Sequence, residues 1–192
     1  MTGKTIVITS GKGGVGKTTA TANIGTGLAM RGHNVVVIDT DIGLRNLDVV
    51  MGLENRIVYD LVDIIEGRCK LHQGMIRDKH KFDLYLIPAA QPRDKNCVDP
   101  DQLRDLCRKL EEEFDYVIVD CPAGIEQGFK NAIAGARDAI LITTPEVAAI
   151  RDADRVIGLL EAAELHRPKL IINRVSTSMV KRGDMMDKDD IV

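Results

Sequence analysis

The chain has 192 residues, 44% hydrophobic and 29% charged, with a formal net charge of −3. That is enough sequence for one domain with a substantial core, and the mixed, slightly acidic charge argues against a basic nucleic-acid footprint. Aromatics are 3% with no Trp, which disfavours base-stacking platforms, and no apolar run is long enough to span a bilayer.

The first apolar run, Thr5-Ile6-Val7-Ile8-Thr9, predicts a strand. Residues 11–19, Gly-Lys-Gly-Gly-Val-Gly-Lys-Thr-Thr, follow it and precede a helical pattern containing Ala22, Ile24, Leu28 and Ala29. Strand, glycine loop and helix in that order, with the spacing Gly11-x4-Gly16-Lys17-Thr18, fit the P-loop template. The glycines let the backbone wrap an anion with successive N–H groups, and the helix N-terminus adds partial positive charge. The predicted ATP-binding segment is therefore Gly11, Lys12, Gly13, Gly14, Val15, Gly16, Lys17, Thr18 and Thr19. Lys17 is expected to reach the β- and γ-phosphates, and the Thr18 hydroxyl to sit on Mg²⁺. Lys12 is a second lysine in the loop; taken alone, it reads as a solvated side chain.

The first helix is expected over 18–31, stopped by Gly32. Asn34 to Asp39 is an unbroken β-branched run, the pattern of a strand buried on both faces. It ends in Asp39-Thr40-Asp41, at the strand end that carries ligands in open α/β sheets. Residues 41–52 read as an irregular segment between Gly43 and Gly52, and 58–66 as a helix stopped by Gly67. Leu84 to Pro88 predicts a strand, 89–98 a polar loop. Pro100 to Glu113 predicts a helix with Asp99 as its N-cap and Leu103, Leu106 and Leu110 on one face. Tyr116 to Asp120 is a strand, Cys121-Pro-Ala-Gly124 a turn, and Glu126 to Ala136 a helix. Ala139 to Thr143, Val147 to Glu164 (with Ile150, Ile157 and Leu160 inward) and Lys169 to Asn173 read as strand, helix and strand. A polar tail covers 174–192. This alternation predicts one α/β domain over 1–192, a doubly wound, mainly parallel sheet with helices on both faces.

Phosphoryl transfer needs a metal and charge neutralisation. Asp120, closing an apolar strand, has the placement of a Walker-B-type aspartate acting on the metal through water. Asp120-Cys-Pro-Ala-Gly124 also has the Asp-x-x-Gly form of a γ-phosphate-sensing loop. Asp41 is the candidate for orienting the attacking water and accepting its proton late. Asp39 is a candidate for supporting the metal shell. Asn173-Arg174 ends the last strand on the same side. The Asn offers a donor and an acceptor suited to a base edge, and the Arg plane can stack on the base.

The run Lys12-Gly-Gly-Val-Gly-Lys-Thr-Thr resembles the deviant P-loop of the MinD/ParA family of ATPases. Thr9 to Thr19 carries the family's early motif. Asp39 to Asp48 resembles the first switch of its MinD branch, and Asp120 to Glu126 the second. Thr144-Pro-Glu-Val147, Arg151 to Arg155 and Arg182 to Met185 extend the likeness along the whole chain, and the Gly-Leu-Arg-Asn-Leu-Asp run of residues 43–48 separates the MinD branch from its relatives. The resemblance implies an ATP-driven switch: an ATP-dependent homodimer in which Lys12 reaches the partner's nucleotide, with ATP and Mg²⁺ as cofactors. It implies recruitment of a MinC-like division inhibitor, release by a MinE-like activator, and placement of the septum. It also implies a cytoplasmic protein, peripheral on the inner face of the cell membrane at full length. Glu126, Asp152 and Asp154 are candidate partner-surface residues, against a plain reading as solvated helix charges. The family continues past Val192 into a further helix, strand and membrane-binding amphipathic helix, so the 192 residues read as a shortened form without their own membrane attachment. Met1 leads almost directly into the first strand, with no signal peptide expected.

Three rival readings differ from this one. A ParA-type DNA-partition ATPase shares the chemistry but should carry basic residues for DNA; no nucleic acid is expected here. An iron–sulfur carrier of the same fold needs paired cysteines. Of Cys69, Cys97, Cys107 and Cys121, only Cys97 and Cys121 are a conceivable pair; no Cys-x-x-Cys or cluster spacing is present. Free thiols in a reducing compartment are the simplest reading. The third rival is a nucleotide-dependent scaffold without turnover.

Overall fold

The computed structural model describes residues 3–80, 82–91 and 98–192. Its strands are β1 (Lys4–Thr9), β2 (Val35–Asp39), β3 (Ile76–Arg77), β4 (Leu84–Ile87), β5 (Tyr116–Asp120), β6 (Asp138–Thr143) and β7 (Lys169–Ile172). Among the described residues they form one seven-stranded sheet in the order β3-β4-β2-β5-β1-β6-β7. All neighbours are parallel except β3, which pairs antiparallel with β4 at one edge. The helices are α1 (Lys17–Ala29), α2 (Leu47–Met51), α3 (Leu61–Ile65), α4 (Pro100–Glu111), α5 (Gln127–Ile133), α6 (Val147–Ala162) and α7 (Thr177–Arg182).

Two-residue periodicity explains the layers. Val36, Ile38, Val117 and Val119 point to one face, where Leu103, Leu106 and Leu110 of α4 and Val156 and Leu160 of α6 cover them. Val35, Val37 and Ile118 point to the other, against Ala22 and Ala29 of α1. Coverage on both faces is why these strands read as unbroken apolar runs. Asp99 caps α4 as expected, accepting from the Gln102 N–H at 2.8 Å, and Gln102 returns the bond to the Asp99 N–H at 3.0 Å. Leu110 is fully buried. Leu110→Ala should destabilise the fold by about 2–5 kcal/mol in a urea titration, and a change below about 1 kcal/mol would mean that the α4 seam is not part of the core.

Several local expectations need correction. Residues 41–52 are not irregular throughout, because α2 lies within them. The helix expected over 58–66 contracts to α3, whose start is fixed by a capping box between Asp60 and Asp63. The inward face of α6 is Ala149, Ala153, Val156 and Leu160. Ile150 and Ile157 are half-buried at its margin. The tail contains α7, stopped by Gly183 in a left-handed conformation, φ 77°. Residues 92–97 of the expected polar loop, including Cys97, lie outside the described residues.

Candidate active site

Parallel pairing brings the C-terminal ends of the strands to one edge. Asp39 and Asp120 are direct register partners on β2 and β5, and Ile8 near the end of β1 pairs with Asp120. The P-loop leaves β1 at this edge and enters α1 through Gly16, whose φ of 102° is accessible chiefly to glycine. Lys17 therefore begins the helix with its side chain only 9% exposed, and its ammonium lies 3.4 Å from Asp120 Oδ1. The Thr21 hydroxyl, one turn on, donates to the same oxygen at 3.1 Å. Burial raises the Asp120 pKa; the Lys17 charge and bonds from Thr18, Thr21 and Lys17 oppose the rise.

Asp39 is also buried, and burial raises its pKa to about 6 against the pull of three backbone N–H groups. One oxygen accepts from the Asp41 N–H at 2.9 Å, the other from Asn46 and Leu47 at 3.1 Å each. Asp39 thus ties the 41–47 segment to the sheet and supplies the anion at the start of α2. In this arrangement its oxygens face the backbone of that segment. The Thr40 hydroxyl donates to the Asp120 carbonyl at 2.6 Å, joining the two acidic strand ends. Within the segment Arg45 adopts a positive φ of 43°. Its Nε lies 2.9 Å from the buried Asp48 carboxylate.

One cleft collects Gly13, Gly14, Gly16, Lys17, Thr18 and Thr19 from the P-loop with Asp41, Asn46, Ala123 and Arg174. Asp41, half-buried, and the phosphate loop therefore share one solvent-filled space. Asp120 lies beneath it through Lys17 and Thr21. Lys12 is exposed and donates to Glu146 Oε2 at 2.9 Å within the same chain. Glu146, just before α6, was absent from the expected site, although its place three residues past the end of β6 is a usable signal. The Lys12 ammonium holds its carboxyl below the usual range. Asn173 and Arg174, the residues expected to present to a base, reach the P-loop. The Asn173 amide donates to the Val15 carbonyl at 2.8 Å, and the Arg174 guanidinium to that of Gly14 at 2.7 Å.

Glu126 is exposed at the N-cap of α5, and Asp154 is exposed on α6. Asp152 is half-buried; its backbone packs so closely on Gly11 that a Cβ there would lie 2.5 Å from the Asp152 carbonyl oxygen. Cys121 is fully buried and its thiol is pushed up to about 12, chiefly by burial. That is an inert environment rather than a cluster ligand's. Among the described residues no group of three or more His, Cys, Asp or Glu side chains gathers as a metal site. The donors present suit Mg²⁺, which keeps waters and binds through few protein oxygens together with phosphates. Asp120 and Thr18 offer such oxygens beside Lys17. Among the described residues no helix is long and apolar enough to cross a membrane.

Residues 3–172 match the family described as "AAA domain". The chain is 63% identical over 193 residues to the septum site-determining protein MinD of Bacillus subtilis, covering 99% of this chain and 72% of the relative. A MinC:MinD cell division complex from Aquifex aeolicus superposes with a TM-score of 0.91 at 50% identity, covering 98% of this chain and 76% of that one. MinD of Pyrococcus horikoshii, solved with Mg-ADP, superposes with a TM-score of 0.85 at 30% identity, covering 97% and 74%. With a P-loop on this sheet edge and these likenesses along its length, the chain belongs to the MinD family of septum site-determining ATPases.

Proposed function

We propose that residues 1–192 act as one Mg²⁺-dependent ATPase domain that switches between ATP- and ADP-bound states in septum placement. The observation that carries this is the Lys17–Asp120 contact under a P-loop that shares its cleft with Asp41. Lys17 leaves Asp120 for the β/γ oxygens when ATP enters. Thr18 and, through water, Asp120 would hold Mg²⁺, which would supply charge neutralisation at those oxygens. Asp41 orients the water that attacks the γ-phosphorus and accepts its proton late, while the bond to the β,γ-bridging oxygen breaks. Asp39 holds Asp41 in place through the backbone. Lys12 exchanges Glu146 for the partner's nucleotide in an ATP-dependent homodimer.

The Aquifex relative was solved with MinC. By that likeness this chain takes a MinC-like inhibitor in its ATP state, with Glu126, Asp152 and Asp154 as candidate contacts, and a MinE-like activator returns it to the ADP state. Attachment to the inner face of the membrane would come from a terminal amphipathic helix of the kind the family resemblance implies. A ParA-type partition role is less supported, since the relatives named above at half identity or more are septum and cell division proteins.

Asp41→Ala tests the chemical step. ATP affinity should stay within a few-fold while phosphate release falls by roughly 10²–10⁴. Normal turnover in that variant would move the water-orienting role elsewhere.

A further inference from the structure

The end of β7 touches the phosphate loop at two consecutive carbonyls, and this contact carries an inference that rests on the ATP-binding reading above. The Asn173 N–H donates to the Thr143 carbonyl at 2.8 Å, which extends the β6–β7 pairing by one residue and fixes Asn173 on the sheet. Its side-chain Oδ1 accepts from the Arg174 N–H at 2.9 Å, and its Nδ2 donates to the Val15 carbonyl at 2.8 Å. Both ends of the amide are engaged, so its orientation is set by its partners. Arg174 sits at φ 60°, a left-handed conformation uncommon in a side-chain-bearing residue and kept only where its surroundings hold it. From that turn its guanidinium reaches the Gly14 carbonyl at 2.7 Å. The fit is close: a Cβ on Gly16 would lie 2.4 Å from Asn173 Nδ2.

In a trans peptide the carbonyl and the following N–H point to opposite sides. Holding the Gly14 carbonyl therefore directs the Val15 N–H, and holding the Val15 carbonyl directs the Gly16 N–H. Both are turned away from the brace, as a phosphate cradle requires. We propose that Asn173 and Arg174 are positioning residues that brace the phosphate loop through the carbonyls of Val15 and Gly14, and so act on the phosphate end of the nucleotide. A glycine loop without the brace has more conformations to lose when the anion binds.

Inorganic tripolyphosphate has no base and separates this role from base recognition. Calorimetric titrations with Mg²⁺-tripolyphosphate and with ADP should show Asn173→Ala and Arg174→Ala weakening both probes by a similar factor, roughly tenfold for each lost bond. Arg174→Lys, which keeps a donor, should recover most of the loss. The thermal midpoint of Arg174→Ala, an exposed position, should stay within about 2 °C of the parent. If Asn173→Ala does not fold, Arg174→Ala carries the same comparison. Weakened ADP binding with unchanged tripolyphosphate binding would overturn the brace in favour of a base contact, and unchanged binding of both would overturn it outright. A parent chain that binds neither probe would instead overturn the ATP-binding reading on which the brace rests.

Discussion

Lys17→Ala is expected to abolish ATP binding. The N–H cradle of the P-loop survives in that variant, but the countercharge for the β- and γ-phosphates does not. Removing one partner of a desolvated, hydrogen-bonded charge pair costs about 4 kcal/mol, roughly a thousandfold in affinity. The structure adds a second consequence. Lys17 is the charge that opposes the burial of Asp120, so its loss raises the pKa of that carboxyl further. The metal site should weaken with the phosphate site, and Mg²⁺ should no longer improve binding. Fluorescent-nucleotide titration with and without Mg²⁺ reads both effects, and a thermal melt shows that the variant is folded. Parental affinity would remove the P-loop assignment.

Lys12→Ala should eliminate ATP-dependent pairing and hydrolysis together while leaving each nucleotide pocket largely intact. In the single chain Lys12 rests on Glu146, and both side chains are about half exposed. Such a surface pair is weak and screened, so it gives way readily to a triphosphate on a facing subunit. A cation supplied in trans to the transferring phosphate contributes about 10³-fold or more in rate. Mixing variants sharpens the test. A Lys12→Ala subunit keeps Asp41, and it receives an intact Lys12 when it pairs with an Asp41→Ala subunit. The mixture should regain activity that neither variant has alone. Normal pairing and turnover by Lys12→Ala would reduce Lys12 to a solvated loop lysine.

What could be read from the sequence was what local periodicity and spacing encode. Tyr116 to Asp120 was legible to the residue because a strand covered on both faces leaves an unbroken apolar run ending in its acid. The Asp99 cap was legible because donor and acceptor lie three residues apart. The helix α2 was not, because the anion at its start is Asp39, eight residues before Leu47 and on a different element. The strand β3 has two residues and is fixed by β4, not by its own pattern. In the site, the P-loop and the strand-end acids were visible as motifs. Whom their side chains meet was not. Asn173 and Arg174 offer the same donors to a base or to a backbone carbonyl, and only the folding of β7 against the loop shows the carbonyls of Val15 and Gly14 in reach. Glu146 is 134 positions from Lys12, a separation no local pattern spans.

The central claim is that nucleotide state controls pairing of this chain. Sedimentation velocity in the presence of Mg²⁺ with a non-hydrolysable ATP analogue, and separately with ADP, measures that directly. The account predicts a species of twice 21.1 kDa with the ATP analogue and one of 21.1 kDa with ADP. A 21.1 kDa species under both conditions, in a chain shown by titration to be saturated with nucleotide, would contradict it.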